Sequence, residues 1–279
     1  MLKIFNYPGI KLQYCPLINS IINEAKDVDT FVEPFCGTAS VLINLSKDFK
    51  KKVVNDLSPD IIRILKSFRD GNYEQLVKMY NDIASEFGNI KDSKEAYYNF
   101  RNVYNSRYYN NNKCIEKGFF LHIASRAAIN SLFRVGPNGF NQSYGRRGNL
   151  IKMTKQEFDE IQKILLDTIF YTESYNNIID IYDDKNVLFF LDPPYVDRKI
   201  KGSYKDENLF DQNKFLNIIG KAKGKIIYTD IYDETILERL EFISGYKWNY
   251  QIFVNKQNIS PGKNKETKID YRETIYYNF

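Results

Sequence analysis

An α/β fold, in which a helical insertion interrupts one sheet, follows from three features of the sequence. Strand and helix patterns alternate from about residue 30 to residue 68, a strand-free helical stretch follows, and strands return beyond about residue 165. The length of 279 residues suffices for one well-buried α/β core and a smaller appended domain.

Thr30-Phe31-Val32-Glu33 reads as a short strand ended by Pro34, which has no N–H for a sheet ladder. A turn, Phe35-Cys36-Gly37-Thr38, feeds a helical stretch from Ala39 to Lys47. Lys52-Val53-Val54-Asn55 is a second strand, closed by Asp56. Ser58 then stands in N-cap position and Pro59 opens a helix. Ile61, Ile62, Ile64, Leu65 and Phe68 give that helix its apolar face. Strand, turn, helix, strand, helix is the opening of a Rossmann-like unit.

From about Tyr73 to Lys117 the chain is helical, polar and rich in Tyr and Asn. A helix from Phe119 to Leu132 follows, with Phe119, Ile123, Ala127 and Leu132 on its buried side. In the next segment, Val135 to Phe140, the pair Asn138-Gly139 signals a hairpin turn. The returning strands are Thr168–Tyr171, Val187–Leu191 and Lys225–Thr229. Tyr246–Val254 and Thr274–Asn278 form an antiparallel hairpin that closes the sheet, and Ile259–Asp270, with Pro261-Gly262, reads as a mobile loop. The expected division is an α/β domain over residues 1–70 and 160–279, with an insertion over residues 71–159.

Composition narrows the function class. The hydrophobic fraction is 43% and the mean hydropathy −0.48, and no apolar run approaches the roughly 20 residues of a membrane span. The segment Met1 to Pro8 lacks the apolar core of a signal peptide. Cys15, Cys36 and Cys114 are too few and too scattered for a disulfide framework or a zinc site, so a reducing cytoplasm and no metal are expected. A net charge of +5 and pI near 8.8 permit a nucleic-acid partner without requiring one. The 22 tyrosines, and the many Lys, Asn and Ile residues, fit the codons of an AT-rich genome, so only their clustering is informative.

The densest chemical signal is Asp192-Pro193-Pro194-Tyr195, directly after the apolar strand Val187–Leu191. It puts a carboxylate, two donor-free residues and a ring at the carboxyl end of a strand, where open α/β sheets bind ligands. That set suits a planar base carrying an exocyclic amine. At the first strand's end, Gly37 lets backbone approach a ligand closely. Asp56, about 20 residues on, stands where an acidic side chain accepts hydrogen bonds from ribose hydroxyls. Each of these two alone fits a structural role as well. A nicotinamide enzyme would want G-x-G-x-x-G, which this turn does not have.

In order, Tyr7-Pro8-Gly9-Ile10-Lys11, then Phe31-Val32-Glu33-Pro34-Phe35-Cys36-Gly37, then the insertion, then Asp192-Pro193-Pro194-Tyr195 resemble the Dam-type DNA adenine-N6 methyltransferase family. The resemblance spans roughly residues 7 to 230. Ile129-Asn130-Ser131-Leu132-Phe133-Arg134 through Gly139-Phe140-Asn141-Gln142-Ser143-Tyr144-Gly145-Arg146 is similar to that family's recognition helix and hairpin. It implies a Rossmann-like S-adenosylmethionine-dependent methyltransferase sheet with an inserted, mainly helical target-recognition domain carrying a β-hairpin. By the same resemblance, Tyr7, Lys11, the Glu33-Pro34-Phe35-Cys36-Gly37 turn and Asp56 hold S-adenosyl-L-methionine, and Asp192 touches both cofactor and target base. Two positions depart from the family pattern. Ala39 stands near the family's second glycine, and Ser174-Tyr175 replaces an acidic residue followed by an aromatic. Ser174 can still make one hydrogen bond to the cofactor adenine, and Tyr175 can pack on its ring.

The adenine N6 lone pair is delocalised into the ring, so the chemistry needs alignment and acceptors that localise it. The Asp192 carboxylate and the Pro193 carbonyl can each accept one N–H, Pro194 stiffens the turn, and Tyr195 can stack on an extruded base. Cys36 and His122, the one histidine, are read as packing residues. Arg126, Asn130 and Arg134, spaced by four, fall on one polar stripe of the expected helix. Arg and Asn read guanine and adenine edges; a solvated helix face would look the same, and the resemblance favours readout. Asn141 lies in the hairpin segment, while Arg146 and Arg147, with Lys152 and Lys155, suit phosphates. The expected activity is site-specific adenine-N6 methylation of double-stranded DNA by a cytoplasmic monomer or weak dimer with no membrane partner. A ribosomal RNA methyltransferase and a catalytically silent DNA-binding relative are the competing readings.

Overall fold

The computed structural model describes residues 1–7, 9–108, 115–129, 133–145, 153–195, 210–256 and 270–279. Helix α1 (Cys15–Glu24) leads to strand β1 (Thr30–Glu33), strand β2 (Lys51–Asn55) and helix α2 (Pro59–Asp70). Helices α3 (Tyr73–Phe87), α4 (Lys94–Tyr108) and α5 (Ile115–Ala127) follow, then the short strands β3 (Val135–Gly136) and β4 (Gly139–Phe140). After α6 (Lys155–Leu166) come β5 (Thr168–Tyr171), α7 (Tyr175–Tyr182), β6 (Val187–Leu191), α8 (Gln212–Ile219), β7 (Lys225–Ile231), α9 (Glu234–Ser244), β8 (Asn249–Lys256) and β9 (Asp270–Tyr277). Among the described residues the main sheet has seven strands and is mostly parallel; β3 and β4 form a separate antiparallel pair. Two compact units make up the chain, residues 1–22 with 36–173 and residues 23–35 with 174–279.

In the second unit β1 and β6 run parallel in the register Thr30↔Val187, Phe31↔Leu188, Val32↔Phe189. Every residue of both strands is buried, which explains why β6 reads as a continuous apolar run and not as an alternating one. β7 pairs parallel with β6, and β9 and β8 add an antiparallel hairpin, as the tail pattern predicts. The parallel register sets the residues after β1 alongside those after β6, so Glu33 and Asp192 leave the sheet at the same edge.

In the first unit β2 pairs parallel with β5. Helices α2 and α5 approach so closely that a Cβ on Gly118 would meet the Ser67 hydroxyl at 1.8 Å and the Arg63 carbonyl at 2.7 Å. Around that contact Phe68 packs edge-on against Phe119 and His122 and tilted against Phe158. Burying side chains of this size contributes roughly 1.5–3 kcal/mol each.

Four local expectations need correction. No α-helix spans Ala39 to Lys47: Ala39 adopts a left-handed φ of 52°, and only a 3₁₀ turn, Leu42–Asn44, follows. The helix expected to reach Leu132 ends at Ala127, because Ala128 bridges to Tyr144 and the Ile129 N–H donates to the Ser143 carbonyl. The hairpin is present, but Pro137 and Asn138 form its turn and Gly139 begins the return strand at φ 95°. Ser58 is the N-cap residue of α2, yet its side chain makes no capping bond. Pro8, Cys114, Asn130, Ser131, Leu132, Arg146, Arg147, Lys152 and most of the expected loop Ile259–Asp270 lie outside the described residues. No helix among the described residues is long and apolar enough to cross a membrane.

Candidate active site

The turn after β1 is built around Gly37, whose φ of 48° favours glycine. Asp56, at the end of β2, holds it: one carboxylate oxygen accepts the Gly37 N–H at 3.0 Å and the other the Ser58 N–H at 2.8 Å. The Cys36 N–H donates to the Asn55 carbonyl at 2.8 Å, so the turn is tied to the end of β2 twice. Burial pushes the Asp56 carboxyl up to about 6, against the two N–H donors that favour its ionised form. A carboxylate has roughly four lone-pair sites, so two bonded N–H groups leave room for hydroxyl donors.

Tyr7 lies against this turn. A Cβ on Gly37 would sit 3.5 Å from its ring, and the ring packs on Phe5 and Phe133. Lys11 is buried, with its ammonium 2.9 Å from the Gly9 carbonyl. The structure thus brings together Tyr7, Gly37 and Asp56.

In the second unit Glu33 and Pro34 are buried and Phe35 is half-buried. The Phe35 ring lies 5.1 Å from that of Tyr175, and Phe210 and Phe215 complete a cluster around both. Ser174 is exposed, in the N-cap position of α7.

Asp192, Pro193, Pro194 and Tyr195 follow β6 directly. The Thr229 hydroxyl, on the neighbouring strand β7, donates to Asp192 Oδ1 at 2.7 Å. Tyr195 departs from expectation. The motif suggests a side chain thrown outward, but its hydroxyl is buried and the residue only partly exposed. Burial, then the charges of Asp192 and Glu273, raises that hydroxyl's pKa well above the usual range. Asp230 follows Thr229. Burial pushes its carboxyl up to about 6, although it accepts from the Tyr228 hydroxyl, the Ile231 N–H at 2.7 Å and the Gln212 amide at 3.0 Å.

Asn141 and Arg134 come together at the hairpin: Arg134 Nε donates to Asn141 Oδ1 at 2.7 Å, and both residues are exposed. Arg126 does not share a helical stripe with Arg134, since α5 ends between them. It is half-buried near Lys3 and Lys91, whose ammonium groups are pushed below their usual range by burial first and by the Arg126 charge second. Sequence reasoning missed Thr229, which it read only as the end of a strand. The one local signal is a polar pair, Thr229-Asp230, inside a buried strand. It also missed Asn105, Arg101 and Tyr97 of α4, which grip the hairpin through the Phe140 backbone and the Gln142 carbonyl.

The family profile described as D12 class N6 adenine-specific DNA methyltransferase matches residues 7–218. The type II methyltransferase M.MjaIII of Methanocaldococcus jannaschii is 24% identical over 77% of this chain and 78% of its own. The DNA adenine methylase of Escherichia coli K12 is 27% identical over 64% of this chain and 61% of its own. The type II methyltransferase M.FokI of Planomicrobium okeanokoites is 25% identical over 98% of this chain, which spans only 42% of that protein.

Proposed function

The chain belongs to the D12 class of N6 adenine-specific DNA methyltransferases, and we propose that it methylates adenine within a short site of double-stranded DNA, acting in the cytoplasm as a monomer or weak dimer. In this reading residues 1–70 and 160–279 are the catalytic and cofactor-binding domain, and residues 71–159 are the target-recognition insertion.

The methyl donor of the class is S-adenosylmethionine, which supplies an electrophilic sulfonium methyl when bound. The residues present fit it. Asp56 has acceptor sites beyond its two N–H partners for ribose hydroxyls. Phe35 and Tyr175 offer partly exposed rings to the adenine, and Ser174 a hydroxyl to its edge. By the family resemblance, the buried Glu33, with Pro34, and the buried Lys11, whose ammonium lies 2.9 Å from the Gly9 carbonyl, each serve the amino-acid end.

Asp192 and the Pro193 carbonyl would accept the two protons of the target N6, drawing its lone pair out of the ring. The Thr229 hydroxyl donates to one Asp192 oxygen and so orients the carboxylate. This arrangement carries the reading. Pro194 holds the two acceptors in place before substrate arrives, and alignment of this kind removes about 7–11 kcal/mol of barrier in favourable cases. Reaching the site requires base flipping, at a cost of a few kcal/mol. The Tyr195 ring offsets part of that by stacking, worth roughly 1–3 kcal/mol per base. Arg126, Asn130, Arg134 and Asn141 would contact the target sequence, and Arg146 and Arg147 the phosphates.

The test is transfer of labelled methyl to mixed-sequence DNA, followed by nucleoside analysis. Label in N6-methyladenine is expected; label in cytosine, or in RNA alone, would overturn the assignment.

A further inference from the structure

We propose that Thr229 is a positioning residue for methyl transfer, its hydroxyl fixing the orientation of the Asp192 carboxylate at the head of the Asp192–Tyr195 turn. The inference rests on the methyltransferase reading above. Thr229 is buried at 2% exposure, one residue beyond the Leu191↔Tyr228 pair that joins β6 to β7. Its Oγ1 lies 2.7 Å from Asp192 Oδ1 and 3.4 Å from the Leu191 carbonyl, so the hydroxyl proton goes to the carboxylate. One side chain on β7 thus holds the first residue of the motif.

A carboxylate rotates easily about its terminal bond, and a short hydrogen bond to one oxygen stops that rotation and fixes the plane in which the carboxylate meets the substrate amine. A threonine serving only to fill space would not have this effect.

The experiment uses the full chain, with saturating S-adenosylmethionine and DNA, in single-turnover methyl transfer. Thr229→Val keeps the shape and removes the hydroxyl; Thr229→Ser keeps the hydroxyl. The valine variant is expected to transfer about ten- to hundredfold more slowly. Its cofactor and DNA dissociation constants should stay within about twofold. The serine variant should restore the rate. A valine variant with wild-type rate overturns the proposal, as does a serine variant as slow as valine. Thermal melting monitors folding, and Thr229→Ala replaces valine should the latter not fold, with the same outcomes. A wild type that transfers no methyl overturns the methyltransferase reading itself; an active wild type with an equally active valine variant overturns only the role of Thr229.

Discussion

Asn105 grips Phe140 by both of its backbone groups, donating from Nδ2 to the carbonyl at 2.8 Å and accepting the N–H on Oδ1 at 2.9 Å. Asn105 lies on α4 and Phe140 on the return strand of the hairpin. Gly139 makes room for the grip, because a Cβ there would meet Asn105 Oδ1 at 2.4 Å. Tyr97 and Arg101 from the same helix both donate to the Gln142 carbonyl at 2.9 Å. A two-stranded ribbon is marginal by itself; this one is fastened to a helix by side chains.

Replacing Asn105 with alanine leaves both Phe140 backbone groups without that partner. It should cost about 1–3 kcal/mol in urea unfolding. If the hairpin contacts DNA, affinity measured by fluorescence anisotropy should fall while calorimetric cofactor affinity holds. Equal losses in both would argue that Asn105 is only a stability residue.

Ala39 occupies a left-handed conformation, at φ 52°, where the family resemblance leads one to expect glycine. The left-handed form costs an L-residue roughly 1–2 kcal/mol. Ala39→Gly should therefore stabilise the protein by up to about 1 kcal/mol once the greater freedom of unfolded glycine is subtracted. Chemical denaturation measures this directly, and a loss of stability would show that Ala39 is not strained.

Two buried titratable groups give opposite pH dependences. The Asp230 carboxyl lies near 6 in the folded state against an ordinary 3.8. Its stabilising contribution is thus complete below about pH 4 and lost as pH rises through about 6. Across that window Asp230→Asn should gain up to about 3 kcal/mol relative to the wild type. His122 is fully buried against Phe68, and burial holds its imidazole well below the ordinary 6.5. Neither ring nitrogen has a hydrogen-bond partner among the described residues. Its contribution is complete above about pH 6.5 and lost as pH falls. As the one histidine of the chain, it gives one pair of ring C–H NMR signals, which should not shift as the pH passes through the ordinary 6.5 while the protein stays folded.

β1, β5 and β6 fall on the residues their sequence patterns predict, because proline, aspartate or turn residues bound each run. The tail hairpin was legible for the same reason. The stretch after Gly37 was not: nothing local reveals the left-handed Ala39 that diverts the chain. The end of α5 was hidden because its backbone partners, Ser143 and Tyr144, lie more than a dozen residues away across the hairpin. At the site, Asp192 and Gly37 are visible from strand ends and turn chemistry. Thr229 is not, since its partner is 37 positions distant and a threonine in a strand is ordinary.

The central claim is that Asp192 acts on the reacting amine and not on DNA capture. It is tested most directly by single-turnover methylation with Asp192→Ala, alongside a DNA-binding titration of the same sample. Methyl transfer should fall to background while the DNA dissociation constant stays within a few-fold of wild type; a variant that still transfers methyl at a near wild-type rate would contradict the claim.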